Sequence, residues 1–399
     1  MSKCCENSDS EAPRGDAPCK AFEWFEDMVS HCIEYAGAAK AAGRPIVGIM
    51  CEYTPRELVL AAGGITACLC GGSAEMVGPA EDDLPANLCP LIKSTYGYHT
   101  QKANPFLEMA DLIVAETTCD GKKKMYELMG RTCRMHVLEL PQKPYAREAM
   151  EHWKAEMRKL KEALEELFSV EITDAKLREA ITLMNRQRSL KRRLAELMQS
   201  DAPPLTGRLL LDFQSIIACI PGALDHYAEA LQQLTGKPGP AEYADRVRVM
   251  MTGVPVPHGA HRVLDIIENS GGLVVAMENC SGIKPIYEDV DDQGDDPLSA
   301  IAEKYFHLPC SVMTPNDSRM ELLAELAGDY RPDCIIELIW QACLTYDVES
   351  ARVRNLAVAL GIPYLRIETD YSPSDSARIA VRVEALFETV RSRKGGSNA

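Results

Sequence analysis

The sequence has no apolar run long enough to cross a bilayer, because Gly, Pro or a charged residue soon interrupts each hydrophobic stretch. It has no basic excess either. Lys and Arg number 43 against 59 Asp and Glu, a formal charge of −16, and binding nucleic acid needs a basic surface. There is no Cys-x-x-Cys pair, which disfavours a zinc finger or ribbon, and no cysteine run of the bacterial ferredoxin kind. No complete Gly-x-Gly-x-x-Gly occurs, so Gly71-Gly72 and Gly271-Gly272 read as helix stops or turns, not phosphate loops. Met1–Lys20 is polar, with acids and prolines, and lacks the apolar core of a signal peptide. The expectation is a cytoplasmic protein with neither a membrane nor a nucleic-acid partner.

What the sequence does have is 15 cysteines in 399 residues. A reducing compartment disfavours disulfides, and an odd number cannot pair completely within one chain. Packed thiols or metal ligands remain. Cys32, Cys68, Cys70, Cys133, Cys219 and Cys334 sit inside apolar strand or helix patterns and read as small core residues. Cys4, Cys5 and Cys19 fall in the polar N-terminal segment and read as incidental.

A hydrophobic share of 46% with 26% charge is that of a globular chain too long for one ordinary core. Residues 1–20 form a flexible start and Ala21–Ala42 an amphipathic helix. Within residues 21–143, strands are expected at Arg44–Cys51, Ile65–Leu69, Ala110–Thr117 and Arg134–Leu140, with helices between them. Thr54-Pro55-Arg56-Glu57 looks like a helix start with Thr54 as N-cap. Residues 144–241 lose the strand pattern and carry charged helical stretches at His152–Phe168 and Asp174–Gln199. The strand–helix rhythm returns in residues 242–399, at Arg246–Val254, Leu273–Met277, Asp333–Leu338 and Pro363–Ile367. The fold class is therefore α/β: two Rossmann-like parallel-sheet lobes with a helical middle segment and a cleft between the lobes.

Six cysteines stand out by position. Cys51, Cys119, Cys280 and Cys343 come at or just past the ends of expected strands, and Cys89 and Cys310 lie in proline-containing loops. Each half offers three thiols on the edge where open α/β sheets bind ligands. Helix N-termini there favour thiolate over thiol, and soft thiolates without histidine partners suit an iron–sulfur cluster or zinc. Packing alone remains the competing reading. A four-iron cubane usually takes four cysteines, so three per lobe leaves one iron of each cubane free for substrate or for a bridging sulfide.

Other residues carry weaker signals. His258 and His261 open an expected helix; capping and cleft lining suit them better than a second metal site, with His258 a candidate proton donor. Lys122–Lys124 suit a ligand phosphate, an anionic cluster or a solvated turn. Glu52 and Asp120 sit beside Cys51 and Cys119 as supporting groups or helix-start acids.

Gly48-Ile49-Met50-Cys51-Glu52-Tyr53-Thr54-Pro55-Arg56-Glu57-Leu58, Thr117-Thr118-Cys119-Asp120-Gly121-Lys122-Lys123-Lys124-Met125, and Gly361-Ile362-Pro363 followed by Ile367-Glu368-Thr369-Asp370 resemble the 2-hydroxyacyl-CoA dehydratase family. The likeness covers nearly all of the chain after about residue 20 and is greatest toward the double-cubane branch, which lies beside the dehydratase and benzoyl-CoA reductase subunits. It implies a homodimeric oxidoreductase holding an [8Fe-9S] double cubane. Cys51, Cys89 and Cys119 would hold one cubane, and Cys280, Cys310 and Cys343 the other. It also implies an ATP-dependent [4Fe-4S] activator reductase as partner, and small molecules such as acetylene, azide or hydrazine as substrates. The alternatives are a [4Fe-4S] subunit of a 2-hydroxyacyl-CoA dehydratase or acyl-CoA reductase, and a non-catalytic two-lobed binding protein.

Overall fold

Among the described residues, eight parallel strands divide into two sheets of four. The computed structural model describes residues 21–218 and 220–396. The first sheet contains β1 (Ile46–Ile49), β2 (Ile65–Cys68), β3 (Leu112–Glu116) and β4 (Met135–Leu138), in the order β2-β1-β3-β4. The second contains β5 (Val247–Gly253), β6 (Gly272–Met277), β7 (Cys334–Trp340) and β8 (Tyr364–Thr369), in the order β6-β5-β7-β8. The two lobes thus repeat one topology. β1, β3 and β7 are buried along their whole length, as parallel strands covered on both faces must be, and so, apart from the buried Glu116 and Glu337, they read as apolar runs rather than alternating ones.

Between the sheets the chain forms long helices. Arg147–Phe168 buries Trp153, Met157, Leu160 and Leu164 along one face, with the carboxylate of Glu156 buried beside them. Asp174–Glu196 is different. Its buried residues include Leu177, Ile181 and Met184 but also Gln187, Arg188 and Lys191. This helix packs against Arg56–Ala61 of the first lobe and Pro297–Phe306 of the second.

Arg188 makes the joint. Its Nη2 donates to Glu57 Oε1 at 2.5 Å and to the Tyr305 hydroxyl at 3.3 Å, while that hydroxyl donates to Glu57 Oε2 at 2.7 Å. One residue comes from each lobe and one from the middle helix, and Glu57 and Arg188 are 0% and 2% exposed.

Several local expectations change. The first helix is two, Ala21–Glu26 and Met28–Ala41. Thr54 does not cap: the helix Arg56–Ala61 begins after Pro55 without a side-chain cap, and the Thr54 hydroxyl donates to the buried Glu116 instead. Glu57 turns inward to Arg188 rather than back to the helix start. Cys89 ends its loop as the N-cap of Pro90–Thr100, and that helix and Asp317–Tyr330 are ones that the sequence pattern did not suggest. Among the described residues no helix is long and apolar enough to cross a membrane.

Replacing Arg188 with Met strands the Glu57 carboxylate in the interior. Urea denaturation should show a loss of about 3–5 kcal/mol; a loss below about 1 kcal/mol, the range of surface pairs, would mean the joint carries no weight.

Candidate functional site: a thiol-lined cavity

The carboxyl ends of the two sheets face a common cavity of about 960 Å³. All six cysteines singled out by position line it: Cys51, Cys89, Cys119, Cys280, Cys310 and Cys343. Cys68 and Cys70, read from the sequence as core residues, line it as well. Cys32 and Cys334 are fully buried core residues, and Cys133 lies half-buried beside His99. Cys4, Cys5, Cys19 and Cys219 lie outside the described residues.

The thiols do not group by lobe. Cys51 of the first lobe lies near Cys280 and Cys310 of the second, close enough for their charges to interact. Cys343 of the second lobe faces Cys89 and Cys119 of the first, with Cys89 in thiol-to-thiol reach. The spatial trios are therefore Cys51, Cys280, Cys310 and Cys89, Cys119, Cys343, not the lobe-by-lobe division that the resemblance implies. The reason is geometric. Loops at the carboxyl ends of two facing sheets meet across the gap, so each trio takes two thiols from one lobe and the third from the other.

The trios also differ in backbone setting. Cys89, Cys119 and Cys343 are each the N-cap residue of a helix: Pro90–Thr100, Asp120–Met129 and Leu344–Ala359. Partial positive charge there favours thiolate. Cys51, Cys280 and Cys310 sit in a bend, a turn and a loop, where Lys122 and Lys284 supply the positive charge. Lys122 Nζ donates to the Met50 carbonyl at 2.9 Å, and its charge bears on Cys51 and Cys119. Lys284, 1% exposed, donates to the Tyr346 hydroxyl at 2.8 Å, pairs with Glu278 at 3.0 Å and bears on Cys280 and Cys310.

Burial pushes the Cys51 thiol up, with Lys122 opposing it, and pushes Cys280 up to about 12 against Lys284. Proton sharing with Cys343 draws Cys89 below the ordinary thiol range, while the same contact and burial raise Cys343. Beneath the second lobe's thiols, Arg319 is fully buried against Glu278, Glu337 and Glu349. Burial works to raise Glu278, but Arg319 and Lys284 hold it down at about 2.

No three Cys, His, Asp or Glu side chains among the described residues converge on a single metal ion. A cluster asks for something else, one thiolate on each of several irons. Six thiols spread over a roomy, largely apolar cavity fit that demand. His258 also lines the cavity, its Nε2 2.9 Å from the Ser215 carbonyl, and burial lowers its pKa. His261 stands outside and contacts Asp265. Of the lysine run, Lys122 alone turns inward; Lys123 and Lys124 form surface pairs with Asp120 and Glu127. Glu52 is held by Arg56 in a two-bond fork. Lys284 and Arg319 went unnoticed in the sequence, since single charges between apolar stretches look like solvated loop residues.

The sequence model described as "2-hydroxyglutaryl-CoA dehydratase, D-component" matches residues 51–390, a span that contains all six cysteines. The chain belongs to the 2-hydroxyacyl-CoA dehydratase family. "Putative dehydratase subunit YjiM" of Escherichia coli K12 is 39% identical over 88% of this chain and 92% of its own length. The (R)-phenyllactyl-CoA dehydratase beta subunit of Clostridium sporogenes is 23% identical over 93% of this chain and 99% of its own. The (R)-2-hydroxyglutaryl-CoA dehydratase subunit beta of Acidaminococcus fermentans is 21% identical over 88% and 94%. Membership in the dehydratase family thus extends across both lobes and the helices between them.

The cross-lobe grouping has a direct chemical readout. Mild oxidation of iron-free protein should first join Cys89 to Cys343, because their thiols are already in reach. Non-reducing peptide mapping that instead found Cys89 joined to Cys51 would contradict this arrangement.

Proposed function

We propose that this chain is the cluster-bearing component of a low-potential iron–sulfur enzyme. Its six cavity cysteines would hold a double-cubane [8Fe-9S] cluster. The observation that carries the reading is the convergence of Cys51, Cys89, Cys119, Cys280, Cys310 and Cys343 of a single chain on one cavity. Cys51, Cys280 and Cys310 would ligate one cubane, and Cys89, Cys119 and Cys343 the other, so each would bridge the lobes. When bound, such a cluster supplies electrons at low potential to a small molecule in the cavity. The chain's own residues then have definite tasks. Lys122 and Lys284 offset the negative charge of the thiolates, Glu278 keeps Lys284 ionised, and Arg319 keeps Glu278 ionised and fixed. His258 is placed to hand over a proton at Nε2 once its bond to Ser215 is released. An ATP-hydrolysing [4Fe-4S] activator reductase would deliver the electrons, and two copies of the chain would form a homodimer in the cytoplasm.

A second reading is favoured by the names of the relatives, which are dehydratase subunits, two of them called beta subunits. On it the chain is one [4Fe-4S] subunit of a 2-hydroxyacyl-CoA dehydratase, a lyase that works with a different subunit and a CoA thioester. Iron decides between them. Anaerobically reconstituted chain should hold about eight irons for a double cubane, counted by its six ligands. Each of the six Cys→Ala variants should lose iron. About four irons, with Cys280 or Cys310 dispensable, would select the dehydratase reading, and iron-free colourless protein would reject both.

A further inference from the structure

The cavity wall formed by the middle helix is polar, and the thiols do not explain it. Gln187 and Lys191 lie one turn apart on Asp174–Glu196, both buried, and both line the cavity with Gln214, the last residue of the helix Gly207–Gln214. Gln187 is 4% exposed, Gln214 7% and Lys191 8%. Gln187 Nε2 and both side-chain polar atoms of Gln214 have no hydrogen-bond partner. Buried amides are rarely left so, because an unpaired buried polar group costs about 1–3 kcal/mol.

Charge points the same way. Arg56, Arg188, Lys191 and Lys304 crowd this region around the carboxylates Glu52 and Glu57. Arg56 is committed to Glu52 and Arg188 to Glu57. Lys191 has no carboxylate of its own. Its Nζ donates to the Gln214 carbonyl at 2.8 Å and lies 5.8 Å from the centre of the Tyr227 ring. An ammonium whose neighbouring carboxylate, Glu52, is already committed to Arg56 is a site that wants an anion.

We infer that Lys191, Gln187 and Gln214 form a binding site for a small carboxylate. Its charge meets the Lys191 ammonium, and its oxygens accept from the Gln187 and Gln214 amides. Glu52 joins this wall to the thiols, being next to Cys51 in sequence and close enough to Cys280 for its charge to act there. A carboxylate anchored at Lys191 would present the rest of its molecule to the Cys51, Cys280, Cys310 trio. As an anion site the inference stands on the wall alone; as the substrate anchor it rests on the cluster reading above.

The test titrates acetate into the full chain, iron-free and iron-loaded, at ionic strength held constant with chloride. Calorimetry and thermal melting are followed. Saturable binding of acetate over chloride is expected in both forms, and acetate should alter the electron paramagnetic resonance spectrum of the reduced, iron-loaded protein. Lys191→Met should weaken binding about tenfold or more, the equivalent of one charged hydrogen bond. Gln187→Leu, which leaves every charge in place, should weaken it several-fold and guards against a folding defect in the lysine variant. Absence of saturable acetate binding, or wild-type affinity in both variants, overturns the inference. Acetate binding without iron uptake would keep the anion site and remove the cluster reading; full iron uptake without acetate binding would do the reverse.

Discussion

The triangle of Glu57, Arg188 and Tyr305 ties three separate pieces of chain through one buried guanidinium. A buried charge must keep its partners, because the cost of leaving one alone exceeds what any single contact returns. That demand sets how far the two lobes stand apart: Glu57 belongs to one, Tyr305 to the other, and Arg188 to the helix between. The width of the cavity follows from that spacing.

Other contacts close the same gap from different sides. The Tyr53 hydroxyl donates to the Leu308 carbonyl and the Tyr371 hydroxyl to the Gly71 carbonyl, each crossing from lobe to lobe. Gly72 lies so near the His258 backbone that a Cβ there would fall 2.0 Å from its carbonyl oxygen. Only glycine lets the two chains approach that closely. The pair Gly71-Gly72, which the sequence suggests as a simple turn, is therefore a crossing point of the lobes. Rigid contacts on several sides keep thiols from opposite sheets in one another's reach without any one of them having to be strong.

Electrostatics separates the cavity into two walls of different character. The thiol side balances its charge internally, with Lys122 and Lys284 set among cysteines and Glu278 locked by Arg319. The wall of the middle helix does not balance, because its cations outnumber its carboxylates. Buried charge of one sign persists in a folded protein only when function holds it there or the groups neutralise. Burial, with Arg56 adding to it, draws Lys191 down to about 8, so an anionic ligand and deprotonation compete for the same site near neutral pH.

The strands were legible in the sequence because parallel strands buried on both faces are near-continuous apolar runs, as in Leu112–Glu116 and Gly272–Met277. The lobe-to-lobe repetition and the strand-end position of Cys51, Cys119, Cys280 and Cys343 were legible for the same reason. The helices Pro90–Thr100 and Asp317–Tyr330 were not, since prolines and mixed polar residues blur their periodicity. Thr54 illustrates the limit well. Its local pattern is that of a cap, but Glu116, 62 residues away, takes its hydroxyl instead. The amino-acid sequence by itself determined the fold class and which cysteines would stand at the sheet edges, since both depend on neighbours along the chain. Only the tertiary structure decided which thiols meet, that Cys68 and Cys70 join the wall, and that Gln187 and Lys191 face a cavity. Those outcomes depend on contacts between residues far apart in sequence, and no local spacing encodes them.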